Sequence, residues 1–205
     1  MKRHHILTSL ILLLVAACCV GVWSWRLGSH EAPQPRVQIQ RFDRVLDEYV
    51  SLGSGTALHR MNTEYPRETK LLIEKVLKLG NVETPYIERN LRKYYLDSVV
   101  QVLLDEVHRQ YTDVSDLEDD FTRIFQRLKE EDPDFQTPRI YTQVSCLNQS
   151  IIVSDSLIGI SLDKYLGKDF PLYQEFFTPE QLEQMERGNI VEDAVNAYLQ
   201  LHKVP

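Results

Sequence analysis

Apolar residues in this chain recur with a helical period over most of its length, and that period is lost once, in the C-terminal third. Phe42, Val45, Leu46 and Tyr49 stand at i, i+3, i+4 and i+7, the spacing of a helix that buries one face. Leu72, Ile73, Val76 and Leu77 repeat it, which predicts a helix over residues 66–79 with Pro66 in the first turn and Gly80 as its stop. Behind Pro85, Ile87, Leu91, Tyr94 and Tyr95 run into Leu96, Val99, Val100, Leu103, Leu104, Val107 and Tyr111, a stripe broad enough for a central core helix. Leu117, Phe121, Ile124, Phe125 and Leu128 continue at helical spacing. Residues 139–147, 151–153 and 157–161 are instead rich in β-favouring side chains, with polar breaks at Asn148-Gln149-Ser150 and Ser154-Asp155-Ser156. The fold expected is α+β, predominantly helical, with a small antiparallel β element over about residues 139–161.

Local signals punctuate these runs. Gly53-Ser54-Gly55 ends the first helix, and Val37 with Ile39 alternates like a short strand before it. Ser115-Asp116-Leu117-Glu118 and Thr178-Pro179-Glu180-Gln181 read as capping boxes, in which the hydroxyl and the acidic or amide side chain each satisfy an orphan amide. Residues 162–166 read as one helical turn stopped by Gly167, and a last helix is expected over residues 191–201.

The N-terminus fixes location more firmly than any later segment fixes chemistry. Lys2 and Arg3 precede an apolar run over residues 6–17 that ends in Val15-Ala16-Ala17-Cys18, the order of a lipoprotein signal with small residues before a cysteine. Residues 1–17 are then a signal peptide, and Cys18 carries the lipid as first residue of the mature chain. Two or three acyl chains anchor stably where one holds only marginally. The alternative is a single uncleaved transmembrane helix over residues 6–25, long enough to cross a bilayer and flanked by Trp23 and Trp25. Residues 18–35 are polar towards their end and contain Gly28, Pro33 and Pro35, as a tether would. A single domain is expected over residues 36–205.

Composition excludes some partners. The chain has 23 basic and 30 acidic residues and a formal charge of −7; loss of residues 1–17 removes two basic residues and brings it to −9. An acidic surface argues against nucleic acid and against electrostatic adhesion to anionic lipid. Beyond the signal only Cys19 and Cys146 remain, too few for a disulfide framework. Cys146, in an apolar strand-like stretch, reads as a small buried hydrophobe.

Catalytic templates fail residue by residue. Two imidazoles one turn apart are needed for a zinc peptidase, yet His59, His108 and His202 are isolated and His4, His5 and His30 lie in the signal or tether. There is no G-x-S-x-G, P-loop or G-x-G-x-x-G motif. The acidic run from Asp113 to Asp120 lacks the glycine of a calcium loop and suits a helix start, where negative charge complements the macrodipole. No cofactor, metal or catalytic residue is expected. Asp163 is the carboxylate that stands out, between Leu162 and Leu166 directly after a predicted strand, where it can cap the following turn or face a cleft. Tyr165, Phe170, Tyr173, Phe176 and Phe177 read as a satellite core whose exposed part can bind a partner.

The order of the segments resembles the gliding-motility lipoprotein family GldB of Bacteroidetes. IGISLDKYLGKDFPLY, residues 158–173, is similar to the family's hallmark segment, VQIQRFDRVL to its opening strand and helix, and RIYTQVS and NIVEDAVNAYL match in kind and order. The resemblance implies an extracytoplasmic lipid-anchored protein associated with motility and secretion machinery, with no established catalytic site. It also implies that the chain is a short form, or the N-terminal part of a longer family domain. Asp155-Ser156-Leu157 looks like the O-glycosylation acceptor pattern of Bacteroidetes, with Ser156 in a predicted exposed turn. The leading expectation is a non-enzymatic envelope accessory protein, anchored to the cell membrane or outer membrane. It would present Asp163, Tyr165, Phe170, Tyr173 and Phe177 to envelope proteins of a motility or secretion-type machinery. The alternative is a degenerate or incomplete zinc-peptidase-like hydrolase.

Overall fold

The computed structural model describes residues 36–202. The opening strand β1, Ile39–Gln40, runs directly into α1, Phe42–Leu52. Phe42, Val45, Leu46, Tyr49 and Val50 of α1 are buried, as their period requires. Gly53 stops the helix with φ +68°, its N–H donating to Tyr49 O at 2.8 Å. A Cβ there would lie 3.0 Å from the Arg92 guanidinium, so both conformation and space require glycine.

After α2, Gly55–Thr63, the helix expected over residues 66–79 forms in two parts. Pro66 opens α3, Pro66–Lys70, at its first turn, and the chain then widens into a π-helical stretch, Leu71–Val76. The wider turn sends Leu72, Ile73, Val76 and Leu77 all into the core. The stop comes earlier than expected, at Lys78 with φ +54°, and Gly80 follows with φ +122°.

The broad stripe behind Pro85 is likewise two helices, α4, Ile87–Tyr95, and α5, Ser98–Gln110. Asp97 divides them: its Oδ1 accepts from Val99 N–H at 2.9 Å, and Gln101 Nε2 donates back to Tyr95 O at 2.7 Å. An N-cap carboxylate satisfies an amide that a continuous helix would have bonded elsewhere. The break turns Leu96 and Val99 out of the core.

Helix α6, Ser115–Glu131, begins without the predicted capping box. Ser115 donates its hydroxyl to Asp113 Oδ2 at 2.8 Å and its N–H to Asp113 Oδ1 at 3.0 Å. Glu118 is drawn away to accept from Ile39 N–H at 2.9 Å, tying β1 to α6. The second box does form: Thr178 and Gln181 exchange bonds at the start of α7, Pro179–Leu182.

The sheet contains β2, Arg139–Gln143, β3, Ile151–Ser154, and β4, Leu157–Ser161, in the order β1-β2-β4-β3. The predicted α+β class holds, and the sheet is mixed: β3 and β4 form an antiparallel hairpin, while β2 pairs parallel with both β1 and β4. The chain leaves β2, lays β3 at the edge and returns β4 into the gap, which periodicity alone does not reveal. Gly159 faces Tyr141 across β4 and β2, and a Cβ there would sit 2.4 Å from the tyrosine hydroxyl. Ile140, Val144, Ile158 and Ile160 are fully buried, and the last helix, α8, Ile190–His202, packs on β3 and β4.

Candidate docking cleft

Strand β4 delivers the chain into a 3-10 turn, Leu162–Lys164, that buries Asp163 completely. Its carboxylate accepts from Ser145 N–H at 2.7 Å and Leu147 N–H at 2.6 Å, with the Ser145 hydroxyl at 3.3 Å from Oδ2. The segment it holds is strained, since Cys146 and Leu147 have φ +54° and +63° in succession. Left-handed backbone costs a residue with a Cβ about 1–2 kcal/mol, and charge-assisted bonds from two amides offset it. Burial pushes the Asp163 carboxyl up from its ordinary range, and the Leu147 and Ser145 N–H groups pull it back.

Tyrosine hydroxyls lock the surrounding backbone. Tyr173 donates to Asp163 O at 2.6 Å and accepts from Leu166 N–H at 3.0 Å. Tyr165 donates to Asp193 Oδ2 on α8 at 2.8 Å, Tyr111 to Tyr165 O, and Tyr95 to Val144 O. Burial raises the phenol pKa of all four.

Above this floor lies a cleft of about 880 Å³, with walls that include Leu79, Val100, Leu103, Leu147 and Phe177. Val99 and Phe176, both exposed, stand at its mouth with Lys93, Asn90 and Asp97. Phe177 stacks edge-on against Tyr173 at 5.6 Å and carries the Lys164 ammonium 4.1 Å above its ring. Cys146 lines the same cleft, and burial raises the pKa of its thiol. Two further apolar side chains are exposed nearby in the chain, Leu96 at 54%, which ends α4 before the Asp97 break, and Val102 at 50%, one turn beyond Val99 on α5.

These elements occur in the order of the hallmark segments, and the family model for gliding motility protein GldB matches residues 29–205. The chain belongs to the GldB family. Membership gives it a gliding-motility accessory role, association with a motility machinery and the membrane-anchored, extracytoplasmic location of a lipoprotein. No curated protein and no solved structure matches it. Among the described residues, no helix is long and apolar enough to cross a membrane.

The structure redistributes the site residues expected from the sequence. Asp163, Tyr165 and Tyr173 are at 0–1% exposure, so they are corrected from contact residues to the interior that shapes the surface. Phe170 and Phe177 are half-buried, and the most exposed aromatic of the group is Phe176 at 56%. Cys146 is corrected from a strand residue to a half-buried residue of a left-handed turn. Ser156 lies exposed in the β3–β4 turn. His59, His108 and His202 are exposed on three separate helices, and no group of three or more His, Cys, Asp or Glu among the described residues is placed to hold a metal. Cys18, the signal and the tether lie outside the described residues.

The cleft itself went unread in the sequence. Its one legible signal was Asp97-Ser98, a helix-start pair inside an apolar stripe. Cys146 and Leu147 gave none, since neither is a residue type that favours positive φ.

Proposed function

We propose that this GldB-family chain is a non-enzymatic envelope accessory protein, lipid-anchored through Cys18, that works by protein contact at the mouth of the α4–α5 cleft. The observation that carries the reading is the exposure of Val99 and Phe176 on the lining of one cleft, with Leu96 and Val102 exposed three residues either side of Val99 in the chain. A monomer leaves such side chains singly on its surface, whereas exposed apolar side chains gathered at a concave site mark a docking face. The partner is a protein of the motility or secretion-type machinery, and its helix or strand lies along α5 with Phe176 as an aromatic anchor.

A photo-crosslinking residue placed at Val102 in the full-length chain in cells tests this. An adduct with a component of that machinery is expected, and none from the exposed Arg123 position on α6. Leu96→Asp together with Phe176→Asp should abolish the Val102 adduct. Persistence of the adduct in that variant, equal adducts from both positions, or cleavage of peptides or cell-wall fragments by the purified chain overturns the reading.

A further inference from the structure

Beyond the protein contact at its rim, we propose that the interior of the cleft binds an anionic amphiphile, an acyl chain carrying a carboxylate or phosphate head. The first ground is the walls. Leu79, Val100, Leu103, Leu147 and Phe177 enclose a volume of about 880 Å³, within the range of about 300–1,000 Å³ typical of small-molecule sites. A polypeptide in this interior would bury backbone N–H and C=O groups that need partners, and the polar side chains of the lining are few, Asn90, Lys93, Tyr94 and Asp97, the last already capping α5. An acyl chain makes no such demand.

The second ground is charge. Lys93 lines the cleft, and Lys164 rests on the ring that forms one wall. Neither forms an ion pair among the described residues. The nearby carboxylates are already engaged: Asp97 accepts from Val99 N–H at 2.9 Å, and Asp163 binds Ser145 and Leu147. Burial lowers the pKa of the Lys164 ammonium, and the Asp163 carboxylate pulls it back only in part. The surrounding sequence, residues 74–97, carries Lys75, Lys78, Arg89, Arg92 and Lys93 against Glu74, Glu83, Glu88 and Asp97, a slight local excess of positive charge on a chain of net −7. An apolar cavity lined by Lys93, with the Lys164 ammonium on the ring of one wall and neither in an ion pair among the described residues, matches a ligand with one long apolar part and one anionic end. The third ground is rigidity, because the Cys146–Leu147 wall is held in left-handed backbone by Asp163 and so needs no ordering when a ligand arrives.

The test reconstitutes the full-length chain into phosphatidylcholine vesicles doped in turn with three diazirine probes: palmitate, acyl-labelled phosphatidylglycerol and acyl-labelled phosphatidylcholine. After irradiation, peptides covering residues 96–103 and 176–182 should carry one of the two anionic probes about five- to tenfold more than the neutral one, the ratio expected of an ion pair worth about 1 kcal/mol. Whichever anionic probe dominates identifies a free acid or a phospholipid as the source. Lys93→Gln with Lys164→Gln should bring labelling down to the neutral level, and Val99→Trp should block all three probes. Equal labelling by the three probes on the unaltered chain, or labelling confined to other peptides, overturns the proposal without any variant having to fold. Crosslinks from the cleft wall to a polypeptide in place of the probes also overturn it. Because Val102 does not line the cleft, loss of ligand here leaves the partner adduct at that position intact.

Discussion

The backbone beneath residues 158–177 and the α4–α5 side of the cleft treat their polar and apolar groups in opposite ways. Beneath the hallmark segment every prominent polar group is engaged inward: Asp163 on two amides, Tyr173 on two backbone groups, Tyr165 on α8. Across the cleft, Leu96, Val99 and Val102 face solvent and Lys93 has no ion-pair partner among the described residues. The most distinctive segment of the sequence is therefore the scaffold, and the plainer helical stripe opposite it carries the free surface. Residues that look like a site because they are polar or aromatic can be distinctive because they hold a strained turn.

The largest effect that sharpens this contrast is at Asp163. Asp163→Ala leaves the Ser145 and Leu147 amides buried without an acceptor at about 1–3 kcal/mol each, and releases a turn with two residues at positive φ. A loss of about 3–5 kcal/mol in urea unfolding is expected. Asp163→Asn keeps one acceptor oxygen and should lose clearly less. Equal and small losses in the two variants would mean that the carboxylate is not the scaffold's centre.

The helical character of the chain was legible because burial of one face imposes a period, and Phe42, Val45 and Leu46 or Phe121 and Phe125 display it. The mixed sheet was not, because a strand of five residues looks the same whether its neighbour runs with it or against it. The missing capping box teaches a similar lesson: Ser115 and Glu118 have the right spacing, but Asp113 and Ile39 are the partners they meet. At the site, Asp163 drew notice through its apolar neighbours, yet its amide donors lie 16 and 18 residues earlier. Such a contact leaves no local trace. Lys164 and Phe177 likewise come together only through the fold.

A smaller effect separates the scaffold's outer edge from its centre. Arg187 grips Asp116 with two bonds, at 3.0 and 2.7 Å, donates to Asp113 O at 3.0 Å and lies on the Tyr111 ring at 4.6 Å. Lysine can reproduce neither the fork nor the stacking, so Arg187→Lys should cost about 1–2 kcal/mol. The bond from Arg187 holds the Asp116 carboxyl below its ordinary value of 3.8. A carboxylate depressed in the folded state stabilises it above the unfolded value, and that contribution disappears as pH falls through the folded one. The gap in stability between wild type and Arg187→Lys should therefore be full at neutral pH and narrow below pH 3.8 in denaturation curves. A gap independent of pH would assign the cost to the lost stacking on Tyr111.

The smallest effect on stability falls where the effect on contact is largest. Val102 is 50% exposed, whereas Val100, two residues earlier on α5, is 7% exposed; a helix turns them to different sides. Val102→Asp places its charge in water and should change the unfolding free energy by no more than about 0.5 kcal/mol. Val100→Asp puts an unpaired carboxylate against the core and should destabilise by several-fold more. If Val102→Asp costs as much as Val100→Asp, the stripe is part of the core's packing and the contrast between the two sides of the cleft disappears. If it costs nothing and still removes the chain from its partner, the exposed apolar face is maintained for contact, because folding alone does not require a valine there.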